Sequence, residues 1–179
     1  QEKGDDEIRR EDYVEVVRDI AGAFVKGVQA NIRMRVFADL GSNFHMLVDH
    51  TMTRSTRLGC LYEQYFYRRH RDGLSAPIRM NELLIVPKDA RNGAFHPRFE
   101  NWERGNKVPT LLLNATSLNT GHAWMFTARS MGEPPALVGN EVDCKPRYRR
   151  LWYAQAPTSA LERLPLGCAV ASSAGVPGL

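Results

Sequence analysis

The sequence predicts a mixed α/β fold, and three observations carry that expectation. Two stretches in the first seventy residues repeat their apolar side chains at helical spacing. An apolar run at 109–116 is too short for a helix and reads as a buried strand, and the segment after it alternates large apolar residues with polar or smaller ones. The chain has 179 residues, 43% hydrophobic and 25% charged, with a mean hydropathy of −0.39. That composition excludes collagen, long coiled coils and wholesale disorder, and the length fits one domain. The apolar runs are too short for a membrane span.

The first element is predicted to begin at Asp12, with Glu15 at capping-box spacing. Tyr13, Val17, Ile20, Phe24, Val28, Ile32 and Val36 follow in steps of three or four, one face of a long helix. Gly22 and Gly27 interrupt it, each at a cost of about 1 kcal/mol relative to alanine, which implies a kink or a close contact. A second helix runs from Arg54 to His70. Its Leu58, Leu61, Tyr62, Tyr65 and Phe66 form the cleanest stripe in the chain, and Asp72-Gly73 ends it.

Residues 74–107 read as irregular, with Leu83–Val86 as a short buried strand and Phe95, Phe99 and Trp102 packing the loop down. The strand at 109–116 comes next, then turn chemistry at 119–122, then a partner strand through Trp124 and Phe126. Residues 129–157 are irregular again. The small-residue run Leu166–Ala174 is open between helix and tight strand.

Charge is uneven. Residues 1–20 hold eight acids and four bases, leaving 20 bases and 12 acids in the rest. The clusters Arg68–Arg71 and Lys145–Arg150 would suit phosphates of lipid headgroups or nucleic acid. A solvated helix end and a loop explain them as well, and no nucleic-acid reader motif accompanies them. The three cysteines, Cys60, Cys144 and Cys168, show neither a disulfide framework nor zinc spacing, which fits a reducing compartment.

Catalytic motifs are conspicuous by what is missing. No two glycines are adjacent, two apart or four apart, so G-x-G-x-x-G, a glycine-rich oxyanion loop and a strict G-x-S-x-G are excluded, and no glycine precedes a Lys-Ser or Lys-Thr. There is no H-E-x-x-H, and His45, Asp49 and His50 are poorly spaced for a metal. No cofactor is implied. Ala171–Gly175 resembles a nucleophile elbow with alanine for the first glycine, which would make Ser173 the nucleophile, but Pro177 denies it the helix an elbow needs. His122 sits in a turn with no acid near it in sequence to orient it, and reads as an ordinary hairpin histidine.

Two segments carry a family resemblance. Residues 109–122, P-T-L-L-L-N-A-T-S-L-N-T-G-H, resemble the N-A-T-x-x-x-T-G strand of patatin-like phospholipases. Residues 166–179, L-G-C-A-V-A-S-S-A-G-V-P-G-L, are similar to that family's A-V-A-x-S segment. Phe126-Thr-Ala, Met131–Pro135 and Thr53–Tyr62 look like a bacterial branch, so the likeness spans nearly the whole chain. Cys168 stands where that branch often has histidine.

The resemblance implies part of a three-layer α/β/α domain, with 1–179 as its internal portion. It implies a serine acylhydrolase that cleaves acyl esters of lipids with a Ser–Asp dyad. By the family's order, the serine and its oxyanion loop fall before Gln1 and the aspartate falls after Leu179. No catalytic residue is therefore assigned here. Asn114, Ser172 and Ser173 fall in segments that the resemblance places near the substrate pocket. The implied partners are a lipid or acyl-ester substrate and a peripheral membrane surface, with no specific nucleic acid, in the cytoplasm or at a membrane. The alternatives are a non-enzymatic basic module binding anionic lipid or nucleic acid, and a small complete hydrolase using Ser173.

Overall fold

The computed structural model describes residues 8–41, 44, 48, 53–67, 76–88, 90, 95–105, 107–118, 121–133 and 150–175. Helix α1 (Arg10–Gln29) starts two residues earlier than expected, because Asp12 is its third residue rather than its cap. The Asp12 carboxylate reaches back to accept from the Arg9 backbone N–H at 2.7 Å. A carboxylate there also faces the positive end of the helix dipole.

The single long helix expected to run through Val36 is broken. Asn31 adopts φ 47°, ψ 50°, and helix α2 (Ile32–Ala38) starts beyond it. Asparagine tolerates this left-handed conformation better than most residues, so the break falls where the sequence allows it. Gly27 supplies the close contact. A Cβ there would come within 2.1 Å of the Phe66 ring. Most of the α1 stripe stays exposed, including Tyr13, Val17, Ile20, Phe24 and Val28.

Helix α3 (Arg54–Tyr62) is capped by Thr53, whose hydroxyl accepts from the Thr56 N–H. It continues as a π-helical turn, Glu63–Tyr67, and residues 68–70 lie outside the described residues. Leu61 packs with Ile32 and Val36 in one small core, and Leu58, Tyr62, Tyr65 and Phe66 lie against it. Arg57 pairs with Asp39 at 2.8 Å. Both side chains are partly solvated, so the pair contributes at most about 1 kcal/mol.

Leu83–Val86 is not a sheet strand. Met80–Leu83 forms a 3₁₀ turn, and Ile85 and Val86 are exposed outside any strand. The sheet is formed instead by β1 (Leu113–Thr116), β2 (Ala123–Phe126), β3 (Ser130–Gly132) and β4 (Leu151–Trp152). It is antiparallel throughout, in the order β1-β2-β3-β4. The expected partner strand through Trp124 and Phe126 is β2, with Leu113 opposite Phe126 and Ala115 opposite Trp124.

The 109–116 run is shorter and less buried as a strand than its composition suggests. Leu111 and Leu112 precede it and are exposed, and β1 alternates in burial as an edge strand packed on one face does. After the short helices α4 (Pro97–Glu100) and α5 (Ser159–Glu162), helix α6 (Leu166–Ala174) resolves the small-residue run as a helix. It packs on both β1 and α3, and the α3–α6 contact is the most extensive between described elements. The main core lies here: Met80, Phe126, Met131, Tyr153, Leu166 and Ala169.

Small residues make that helix crossing close. A Cβ on Gly167 would fall 2.3 Å from the Gly59 carbonyl oxygen, and one on Gly59 would fall 2.9 Å from Cys168 Sγ. Glu63, buried at the end of α3, then fixes the start of α6. Its two carboxylate oxygens accept from the Gly167 N–H (2.7 Å) and the Ile78 N–H (3.3 Å). One buried side chain thus satisfies an orphan donor at a helix N-terminus and ties in the 76–80 strap. The strap is further held by Leu166 N–H to Ile78 O (2.8 Å) and Met80 N–H to Leu164 O (2.9 Å).

Candidate functional site

Strand β1 and helix α6, the two segments that carry the family resemblance, pack together and are joined by a side-chain hydrogen bond. Ser173, in the last turn of α6, donates its hydroxyl to the Asn114 carbonyl at 2.6 Å, across 59 residues. Asn114 lies on β1 opposite Met125, and both it and Ser173 are exposed. The structure therefore brings two of the three expected pocket residues together. Ser172 is not part of that contact. Its hydroxyl turns back onto its own helix and donates to the Cys168 carbonyl at 2.9 Å.

Among the described residues this geometry gives Ser173 no base. Its proton is engaged by a backbone carbonyl, which accepts a hydrogen bond but cannot take the proton, so the hydroxyl is an anchor rather than an activated nucleophile. Cys168, one helical turn before Ser172, is partly buried. Its thiol is pushed up from its ordinary value by burial first, then by Cys60 and Glu63 nearby. A thiol so shifted is a poor thiolate nucleophile at neutral pH.

His122 has an acid in space that it lacks in sequence. Glu133 follows β3 and is buried, and its Oε2 lies 3.7 Å from His122 Nδ1. The antiparallel β2–β3 register, with Met125 opposite Gly132, brings the two together. Sequence reading missed Glu133 because the partner stands eleven residues on, and only the pairing of β2 with β3 folds that distance up.

Two of the three loop aromatics expected to pack down do not. Phe95 is buried, while Phe99 and Trp102 are 62% and 71% exposed. His45, Asp49 and His50 lie outside the described residues, as do Cys144, Arg68–Arg71 and 145–149. Among the described residues no three His, Cys, Asp or Glu side chains are grouped to hold a metal. No described helix is long and apolar enough to cross a membrane. Comparison with known proteins finds no family model, no curated protein and no solved structure that matches this chain.

Proposed function

We propose that this chain is the scaffold portion of a patatin-like serine acylhydrolase, a protein that cleaves acyl esters of lipids. In this reading 1–179 belongs to a three-layer α/β/α domain whose Ser–Asp dyad is carried by sequence outside it. The observation that carries the proposal is the Ser173–Asn114 hydrogen bond. It joins the A-V-A-x-S segment to the N-A-T strand, so the two matching motifs are one spatial unit. Exposed Asn114 and Ser173 then line the approach to an acyl-ester pocket, and the close α3–α6 crossing holds α6 against the strand. The chain's own residues position; they do not perform the acyl transfer.

The coding sequence on either side of this segment tests the reading. We expect a strand followed by G-x-S-x-G upstream and a D-G-[GA] downstream in the same frame. Stop codons directly flanking the segment, or flanks without those motifs, would overturn it.

A further inference from the structure

The turn that follows helix α4 (Pro97–Glu100) is closed and carries its aromatics outward. Asn101 clamps it shut. Its side-chain amide donates to the Val108 carbonyl (2.9 Å) and accepts from the Val108 N–H (2.8 Å). Lys107 caps the interior by donating its ammonium to the Trp102 carbonyl at 2.6 Å. Phe99 and Trp102, three residues apart, stand out from this turn and from the end of α4. Glu100 is turned inward, its carboxylate accepting from the His96 N–H.

Two bases, Arg104 and Lys107, belong to the same turn as Trp102. The Arg104 guanidinium lies 5.9 Å from the Phe95 ring, and Arg129 ties Phe95 to the sheet by donating to its carbonyl at 2.5 Å. The Arg129 carbonyl in turn accepts from the Tyr153 N–H. The residue before it, Trp152, is 40% exposed, with the Arg150 guanidinium 6.0 Å from its ring. The hydrogen-bonded chain Phe95–Arg129–Tyr153 thus ties the segment before α4 to the sheet. Beyond residue 20 the chain carries 20 bases against 12 acids, so the wider charge has the same sign.

We infer that Phe99 and Trp102, with Arg104 and Lys107 of the same turn, form a docking surface for an anionic lipid bilayer. Indole and phenyl rings favour the headgroup level, where one side is apolar and the other wet, and bases beside them gain from anionic headgroups. The shape favours lipid over single-stranded nucleic acid. The rings project from a tight closed turn, whereas base stacking calls for rings spaced along a charged groove. Because the Asn101 clamp already orders the turn, insertion costs little further conformational entropy. The surface names the residues that would meet the membrane implied by the acylhydrolase reading, and its observations stand apart from that reading.

The test is flotation of the 179-residue chain with vesicles of phosphatidylcholine containing phosphatidylglycerol, against phosphatidylcholine alone, at physiological salt, with tryptophan emission read in parallel. We expect binding to the anionic vesicles with a blue shift that disappears in Trp102→Phe, Trp124 and Trp152 remaining as internal references. Phe99→Ala and Trp102→Ala each weaken binding about tenfold. Lys107→Gln weakens it about fivefold, and Glu103→Lys, which reverses an exposed acid in the same turn, tightens it by at least as much. Circular dichroism checks that each variant keeps the parent fold, and the gain in Glu103→Lys is a result no unfolding would produce. No partition into anionic vesicles, binding that ignores Trp102 and Glu103, or capture of a single-stranded oligonucleotide in place of vesicles would each overturn the assignment.

Discussion

At Tyr153 chemistry and packing pull apart. The side chain is 2% exposed within the main core, yet its hydroxyl has no hydrogen-bond partner among the described residues. Burial raises its pKa from 10.0 to about 12. A raised pKa means the folded state holds the proton more tightly than the unfolded one. The associated stability is complete below pH 10 and is lost as pH rises from 10 towards 12, at about 1.4 kcal/mol per pH unit. Tyr153→Phe removes both the orphan hydroxyl and the titration. Chemical denaturation should find the variant more stable than the parent by about 1 kcal/mol at neutral pH, with a shallower loss between pH 10 and 12. A variant less stable than the parent would point to a bound water on that hydroxyl.

At the scale of elements, Glu63 shows how one residue joins three pieces of chain. It closes α3, accepts from the N-terminus of α6 and holds the strap before Met80. Glu63→Gln keeps the size but puts a donor where one of two N–H groups needs an acceptor. We expect a loss of about 1–3 kcal/mol, read as a lower denaturation midpoint, and protease cleavage appearing first near the strap at 76–80. Unchanged stability would mean that the two N–H groups find other acceptors.

The same elements show what the sequence can reveal. Helix α3 was legible because five apolar residues fall on one face, and β2 because its alternation faces a real partner. The break at Asn31 was not, since the periodic stripe runs straight through it and only the backbone turn interrupts it. Leu83–Val86 is apolar enough for a strand, but strand formation depends on a pairing partner that its own residues do not encode. Burial failed for the same reason at Phe99 and Trp102. Aromatic residues in a loop can pack down or project, and the Asn101–Val108 clamp, seven residues apart, decides which. Of the candidate site, the sequence singles out the segments that hold Asn114 and Ser173. The contact between them was not, because it joins an edge strand to a helix end 59 residues away.

For the whole molecule, the antiparallel sheet, α6 and the α3 group are held together by close contact at glycine and by one buried carboxylate. The acylhydrolase reading makes this assembly a support that contains no nucleophile of its own. Intact-mass analysis after exposure to a fluorophosphonate serine probe tests that claim most directly. With its hydroxyl donated to the Asn114 carbonyl and no base bonded to it among the described residues, Ser173 should not react. The account predicts an unmodified 179-residue chain, and labelling only of a longer chain that also contains G-x-S-x-G and D-G-[GA], at the serine of that motif. One-to-one labelling of the 179-residue chain that vanishes in Ser173→Ala would contradict it and make this chain a hydrolase in its own right.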